Sequence, residues 1–175
     1  MKYGFITVAA AVPSVKVADT EYNVKQIEDF VAQAEGKGVE IIVFPELSIT
    51  GYSCQDLFLQ QLLIEQSEVA VMQLLDFTRK LDIICIVGAP VNISVYNCAI
   101  VIQHGVIVGM VPKTYLPNYG EFYEKRWFSS SKNLQPTDIR YAGNTVSVVP
   151  DPILFRTSDN VLFGIEICED VWAAE

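Results

Sequence analysis

The sequence predicts a layered α/β domain built on a mixed sheet. Apolar, β-type runs alternate with helical-period stretches through the first half of the chain, the pattern of strands joined by helical crossovers. Two further apolar runs then flank the dipeptide His104-Gly105, a hairpin signal. The strands lack clean polar alternation, which implies a sheet covered on both faces, at least in part. The 175 residues fit one domain, and a chain of this size removes roughly 70% of its unfolded surface from water.

Each element has a local reason. Residues 3–11 read as a strand ending before Pro13, because the run is β-branched. The same stretch after Lys2 also resembles a short signal peptide, but the charge preceding it is minimal and the strand is favoured. After Thr20, the residues Val24, Ile27, Phe30, Val31 and Ala34 recur at helical spacing, and Gly36 and Gly38 end the helix. Residues 40–44 form a short apolar strand stopped by Pro45. A helical stretch runs from about Asp56 to Lys80, with a break expected near Ser67, and residues 82–88 form another buried strand. Residues 97–103 and 106–112 are the two arms of the hairpin. Residues 114–145, rich in Pro, Asn, Ser, Gly and aromatics, read as a long loop with a helical piece; such a loop inside a compact domain is usually functional. Residues 146–150, 153–157 and 161–168 read as strands, with Ser158-Asp159-Asn160 as the last turn. There are no repeats.

Composition excludes several function classes. With 51% hydrophobic and 19% charged residues, the chain has ample core material and is not disordered. A net charge of −9 is wrong for a nucleic-acid or anionic-lipid surface and suits solubility. No stretch approaches the roughly 20 apolar residues of a membrane span. Cys54, Cys85, Cys98 and Cys168 include no CxxC pair, so neither a zinc knuckle nor a thioredoxin-like site has support, and no metal site is expected. Cys85 and Cys98 lie in apolar runs as small hydrophobes. Reduced thiols and a cytoplasmic location follow.

Three ionisable residues stand in equivalent places. Glu46 follows an apolar strand, Lys113 follows the hairpin, and Cys168 ends the last apolar run. Strand ends gather at the rim of an α/β sheet, where sites are built. A nucleophile needs a base for its proton and a donor or cation for the developing oxyanion; Glu, Lys and Cys supply those roles. Taken singly, each has an ordinary structural reading: Glu46 as a loop charge, Lys113 as a surface charge, Cys168 as core. Their combination carries the case. The single histidine, His104, sits at a hairpin turn beside no evident nucleophile, so a carboxylate is the expected base.

The blocks FPELSITGY (44–52), PKTYLP (112–117) and GIEICEDVW (164–172) resemble, in order and spacing, the three signature blocks of the nitrilase, or carbon–nitrogen hydrolase, superfamily. The segments LSITGYSCQDLF (47–58) and LPNYGEFYEKRWF (116–128) are similar to one branch, the glutamine amidotransferase domains of glutamine-dependent NAD⁺ synthetases. The resemblance implies a nitrilase-like α-β-β-α sandwich with mixed sheets. It implies Glu46, Lys113 and Cys168 as catalytic triad, with Tyr52, Tyr119 and Phe122 lining a glutamine pocket. Glu124 becomes the supporting second glutamate. The backbone N–H of Glu169 joins the oxyanion hole, and its side chain holds the substrate's amino group.

By the same resemblance, residues 1–175 are expected to be the N-terminal part of the amidase domain, an incomplete domain with a sheet edge and apolar surface left uncovered. The implied activity is hydrolysis of the glutamine side-chain amide through a Cys thioester, with no cofactor. ATP and Mg belong to a synthetase domain of the same polypeptide, absent here, which takes the ammonia to make NAD⁺. A homo-oligomer is implied as well. Two alternatives stay open: a stand-alone nitrilase-like amidase acting on another small amide or N-carbamoyl compound, and a non-catalytic fragment serving as an assembly module.

Overall fold

The computed structural model describes residues 4–92 and 94–173. Its centre is a five-stranded sheet in the order β1-β2-β3-β4-β5. The strands are β1 (Val8–Ala10), β2 (Ile41–Val43), β3 (Ile84–Val91), β4 (Tyr96–Gln103) and β5 (Val106–Pro112). The first three are parallel, and β3, β4 and β5 are joined as antiparallel neighbours. Helix α1 (Thr20–Gly36) connects β1 to β2, and α2 (Gln61–Thr78) connects β2 to β3. This is the mixed sheet expected, with crossovers first and hairpins after.

The faces of the sheet separate by the two-residue period of a strand. On one face, Ile42, Cys85, Val87, Cys98, Ile100 and Ile102 pack with Val24, Ile27 and Val31 of α1 and Val71, Leu74 and Leu75 of α2. On the other, Ile41, Ile84, Ile86, Ala99 and Val101 meet Phe155 and Ile167. Both faces are therefore apolar along the same strands. A third cluster of Leu47, Cys54, Phe58, Leu63 and Phe128 lies beneath the loops at one end of the sheet.

Several elements differ from expectation. The first strand is confined to β1, since residues 4–7 lie before it in the described part and Tyr3 lies outside the described residues. The long helical stretch breaks at Gln60, not near Ser67. A kinked 3-10 segment, Tyr52–Leu59, precedes α2, and Gln55 within it has φ 51° and ψ −130°. Ser67 sits fully buried inside an unbroken α2. Strand β3 runs on through Pro90, which is tolerated because pairing with β2 ends at Ile86. The region read as a loop contains a strand: β6 (Thr137–Tyr141) pairs antiparallel with β7 (Asn144–Val148) across Ala142-Gly143. Both turn residues have positive φ, as do His104 and Gly105, the geometry a two-residue hairpin turn needs. The hairpin packs Tyr141, Val146 and Val148 into the helix-side core.

The final apolar runs are mostly irregular. Only β8 (Phe155–Arg156) and β9 (Leu162–Phe163) pair, so Cys168 does not end a strand. It opens a 3-10 turn, Cys168–Val171. Within the described residues the second layer is this small β8–β9 pair, and Val8, Leu154 and Leu162 are exposed. Among the described residues no helix is long and apolar enough to cross a membrane.

One glycine is fixed by contact. A Cβ at Gly88 would stand 2.2 Å from the backbone nitrogen of Leu47 and 3.1 Å from Glu46 Cα. The turn carrying Glu46 therefore rests directly on β3, where Gly88 N–H donates to Ser48 Oγ and Gly88 C=O accepts from Ile49 N–H. Gly88→Ala is expected to cost about 3 kcal/mol, the upper part of the usual overpacking range, because backbone must move; urea unfolding of the variant against the parent measures it.

Candidate active site

The turn after β2, the residue after β5 and the 3-10 turn Glu124–Arg126 converge beyond the end of the sheet. Lys113 extends the β5 ladder by one bond, its N–H donating to Asn97 C=O at 2.8 Å. Its side chain is fully buried. Nζ lies 2.6 Å from Glu46 Oε1 and 2.8 Å from both oxygens of Glu124. Tyr52 O–H donates to Glu124 Oε1 at 2.7 Å. Burial acts to lower the Lys113 pKa, but its hydrogen bonds to Glu124 and Glu46 outweigh this and hold it above the ordinary lysine value. Burial pushes Glu124 above the usual carboxylate range, opposed by Lys113 and Tyr52. The ammonium is thus a fixed cation, not a titrating base.

Cys168 is exposed, unlike the other three cysteines. Partial burial raises its pKa; Glu46 raises it further by charge, while Lys113 and the backbone N–H of Glu169 oppose. The thiol therefore stands within electrostatic reach of Glu46, Lys113 and Glu124. Its backbone is left-handed, with φ 50°, a conformation that costs a non-glycine residue about 1–2 kcal/mol. The Asp170 carboxylate holds this turn in place. It accepts the N–H groups of Thr114 and Tyr115 just after the lysine, and that of Ile167 just before the cysteine.

The aromatic residues gather at the same place. Phe122 stands edge-on to Tyr52, with ring centroids 6.5 Å apart, and to Tyr119, 5.8 Å apart. Tyr119 O–H donates to Glu169 Oε2 at 2.8 Å. All eight residues singled out in the sequence thus occupy one region. The arrangement holds a thiol, a neighbouring carboxylate, a buried cation and a backbone donor: the parts needed for nucleophilic attack on a carbonyl with stabilisation of the resulting oxyanion.

A family model described as carbon–nitrogen hydrolase matches residues 7–175. The chain belongs to the carbon–nitrogen hydrolase family. It is 36% identical to a glutamine-dependent NAD(+) synthetase of Mycobacterium bovis over 175 residues, covering 98% of this chain and 26% of that relative. A crystal structure of a glutamine-dependent NAD(+) synthetase from Cytophaga hutchinsonii matches with TM-score 0.85 and 33% identity, over 94% of this chain and 28% of the other. The synthetase of Acinetobacter baumannii matches with TM-score 0.74 and 31% identity, over 95% and 28%. This carbon–nitrogen hydrolase chain spans about a quarter of the length of the curated relatives it matches.

Sequence reasoning missed three supporting residues. Asn97 Nδ2 donates to Glu46 Oε1 at 2.6 Å. Asp56 accepts from Arg126 through two nitrogens, at 2.6 and 2.8 Å, and from Trp127 Nε1 at 2.9 Å, clasping the Tyr52 segment to the Glu124 segment. Asn23 of α1 donates to Lys16 C=O and Ile49 C=O while accepting Lys16 N–H. Asp56 and Arg126 lie within resemblance-bearing segments, but nothing local in the sequence pairs them.

Two outcomes follow for this hydrolase chain. Lys113→Met leaves Glu124 buried without its cation and is expected to cost about 3–5 kcal/mol, read by urea unfolding. Iodoacetamide labelling of Cys168 is expected to rise with pH to a midpoint above that of an ordinary thiol. Because the Glu46 charge opposes thiolate formation, Glu46→Gln should move that midpoint down; mass spectrometry across a pH series measures both, with Cys54, Cys85 and Cys98 remaining unlabelled.

Proposed function

We propose that this chain is the glutaminase part of a glutamine-dependent NAD⁺ synthetase and hydrolyses the glutamine side-chain amide. The observation that carries the reading is Lys113, buried against Glu46 and Glu124 beside the exposed thiol of Cys168. The glutamine dependence named for the relatives supports the substrate.

Glu46 takes the thiol proton as Cys168 Sγ attacks the amide carbon. The negative oxygen of the tetrahedral intermediate is stabilised by the Lys113 ammonium and the Glu169 N–H. The C–N bond breaks as Glu46 delivers its proton to the leaving nitrogen, which departs as ammonia. A thioester remains. Water attacks it with Glu46 again accepting the proton, releasing glutamate and restoring the thiol. Tyr52, Tyr119 and Phe122 enclose the substrate's methylenes, and the Glu169 carboxylate receives its α-ammonium group. Glu124, anchored by Tyr52, keeps Lys113 in place.

This step draws on side chains and water alone. The ammonia passes to a synthetase domain of the same polypeptide, where ATP and Mg are used to amidate an adenylated nicotinate dinucleotide. The protein works in the cytoplasm and assembles as a homo-oligomer through its amidase domains.

The test is a panel of amides assayed for coupled release of ammonia and carboxylate. Glutamine is the expected best substrate, with activity lost in Cys168→Ala. Removing an oxyanion donor typically costs about 10²–10³ in kcat, and Lys113→Ala should lose at least that. Preference for an aliphatic amide or an N-carbamoyl compound over glutamine would replace this reading with a stand-alone amidase. No hydrolysis of any amide by the polypeptide carrying this chain would leave an assembly module.

A further inference from the structure

We infer that Asn97 is a positioning residue that, together with Lys113, reserves a single oxygen of Glu46 for the thiol proton. The inference rests on the amidase reading above and adds a residue to it.

Asn97 lies on β4, 1% exposed, and reaches the site from both ends. Its backbone C=O accepts the Lys113 N–H at 2.8 Å, and its side-chain Nδ2 donates to Glu46 Oε1 at 2.6 Å. The orientation of the amide is dictated by its neighbour, since a carboxylate only accepts and the atom facing it must be the nitrogen. Lys113 Nζ donates to the same Oε1, also at 2.6 Å. No described residue donates to Glu46 Oε2. Two charge-assisted bonds therefore occupy one oxygen and leave the other without a protein donor, with the Glu46 side chain still 16% exposed. A proton leaving Cys168 goes to Oε2, and it is from Oε2 that the leaving nitrogen recovers it.

The placement of Asn97 has a structural penalty. Its own Oδ1 is buried without a hydrogen-bond partner, a state that ordinarily costs about 1–3 kcal/mol. An apolar side chain would avoid the loss but could not pin the carboxylate, and lysine alone, a point-like donor on a flexible stem, leaves Glu46 free to rotate about its bond to Oε1.

The test uses Asn97→Asp and Asn97→Ser in the polypeptide that carries this chain, with glutamine hydrolysis and a ¹⁵N side-chain amide spectrum as readouts. Asp has the shape of Asn but sets a carboxylate against a carboxylate; Ser is smaller and neutral. A positioning role predicts a fall in kcat of about 10-fold or more in both, the equivalent of one hydrogen bond to a charged group, with KM nearly unchanged and Asp worse than Ser. A packing role predicts the reverse order, because Asp conserves volume, and Asp activity at or above that of Ser would overturn the inference. In the parent protein the Asn97 amide protons should appear downfield of the other asparagines and move upfield in Glu46→Gln. A signal unmoved by that substitution would overturn the contact itself. If the parent hydrolyses no amide, the functional reading fails on its own evidence, and the spectrum still decides whether Asn97 pins Glu46.

Discussion

A lysine ammonium removed entirely from water is the constraint around which this chain is arranged. An uncompensated charge in such a place is prohibitive. Two carboxylates meet it, Glu46 from the turn after β2 and Glu124 from a segment 78 positions further along, and each is held by a second donor. Asn97 fixes the first and Tyr52 the second. The ammonium cannot leave, and neither carboxylate can swing away without stranding a charge. An oxyanion formed at Cys168 would meet a cation already oriented, which is where electrostatic stabilisation gains most of its strength.

The scaffold supplies rigidity at short range. The Glu46 turn lies on the bare backbone of Gly88, with Ser48 and Ile49 bonded to the same residue. Asn23 ties α1 to the far end of that turn through Ile49. On the opposite side, Arg126 and Trp127 grip Asp56, tying the Tyr52 segment to the Glu124 turn. These are exposed groups, and the bidentate geometry of the arginine pair, more than its charge, gives the clasp its value.

The sheet and its two helices were legible in the sequence because one periodicity dominates each. Residues of α1 bury at positions 24, 27 and 31, and strand residues divide between faces by twos. The grouping of Glu46, Lys113 and Cys168 was legible because each follows an apolar run in a distinctive block, and the structure brings the three into one region. The misreadings share a cause in geometry that periodicity does not encode. The break before α2 comes from an extended Gln60, and the kink within the preceding 3-10 segment from the positive φ of Gln55, not from composition around Ser67. The β6–β7 hairpin alternates only weakly and turns at Ala142-Gly143, a pair less distinctive than His104-Gly105. Cys168 leaves the strand pattern because its backbone is left-handed and opens a 3-10 turn. Asn97 was hidden because a polar residue at the start of an apolar strand has no local sign of its partner 51 positions away.

The Asp170 carboxylate accepts main-chain N–H groups on either side of the site, from the residues following the lysine and from the one preceding the cysteine. The spacing of cation and thiol is consequently set by peptide groups, which every amino acid except proline provides. A change of side chain at Thr114, Tyr115 or Ile167 leaves those peptide donors in place, whereas exchange of the one carboxylate beneath them would detune the pair at a stroke.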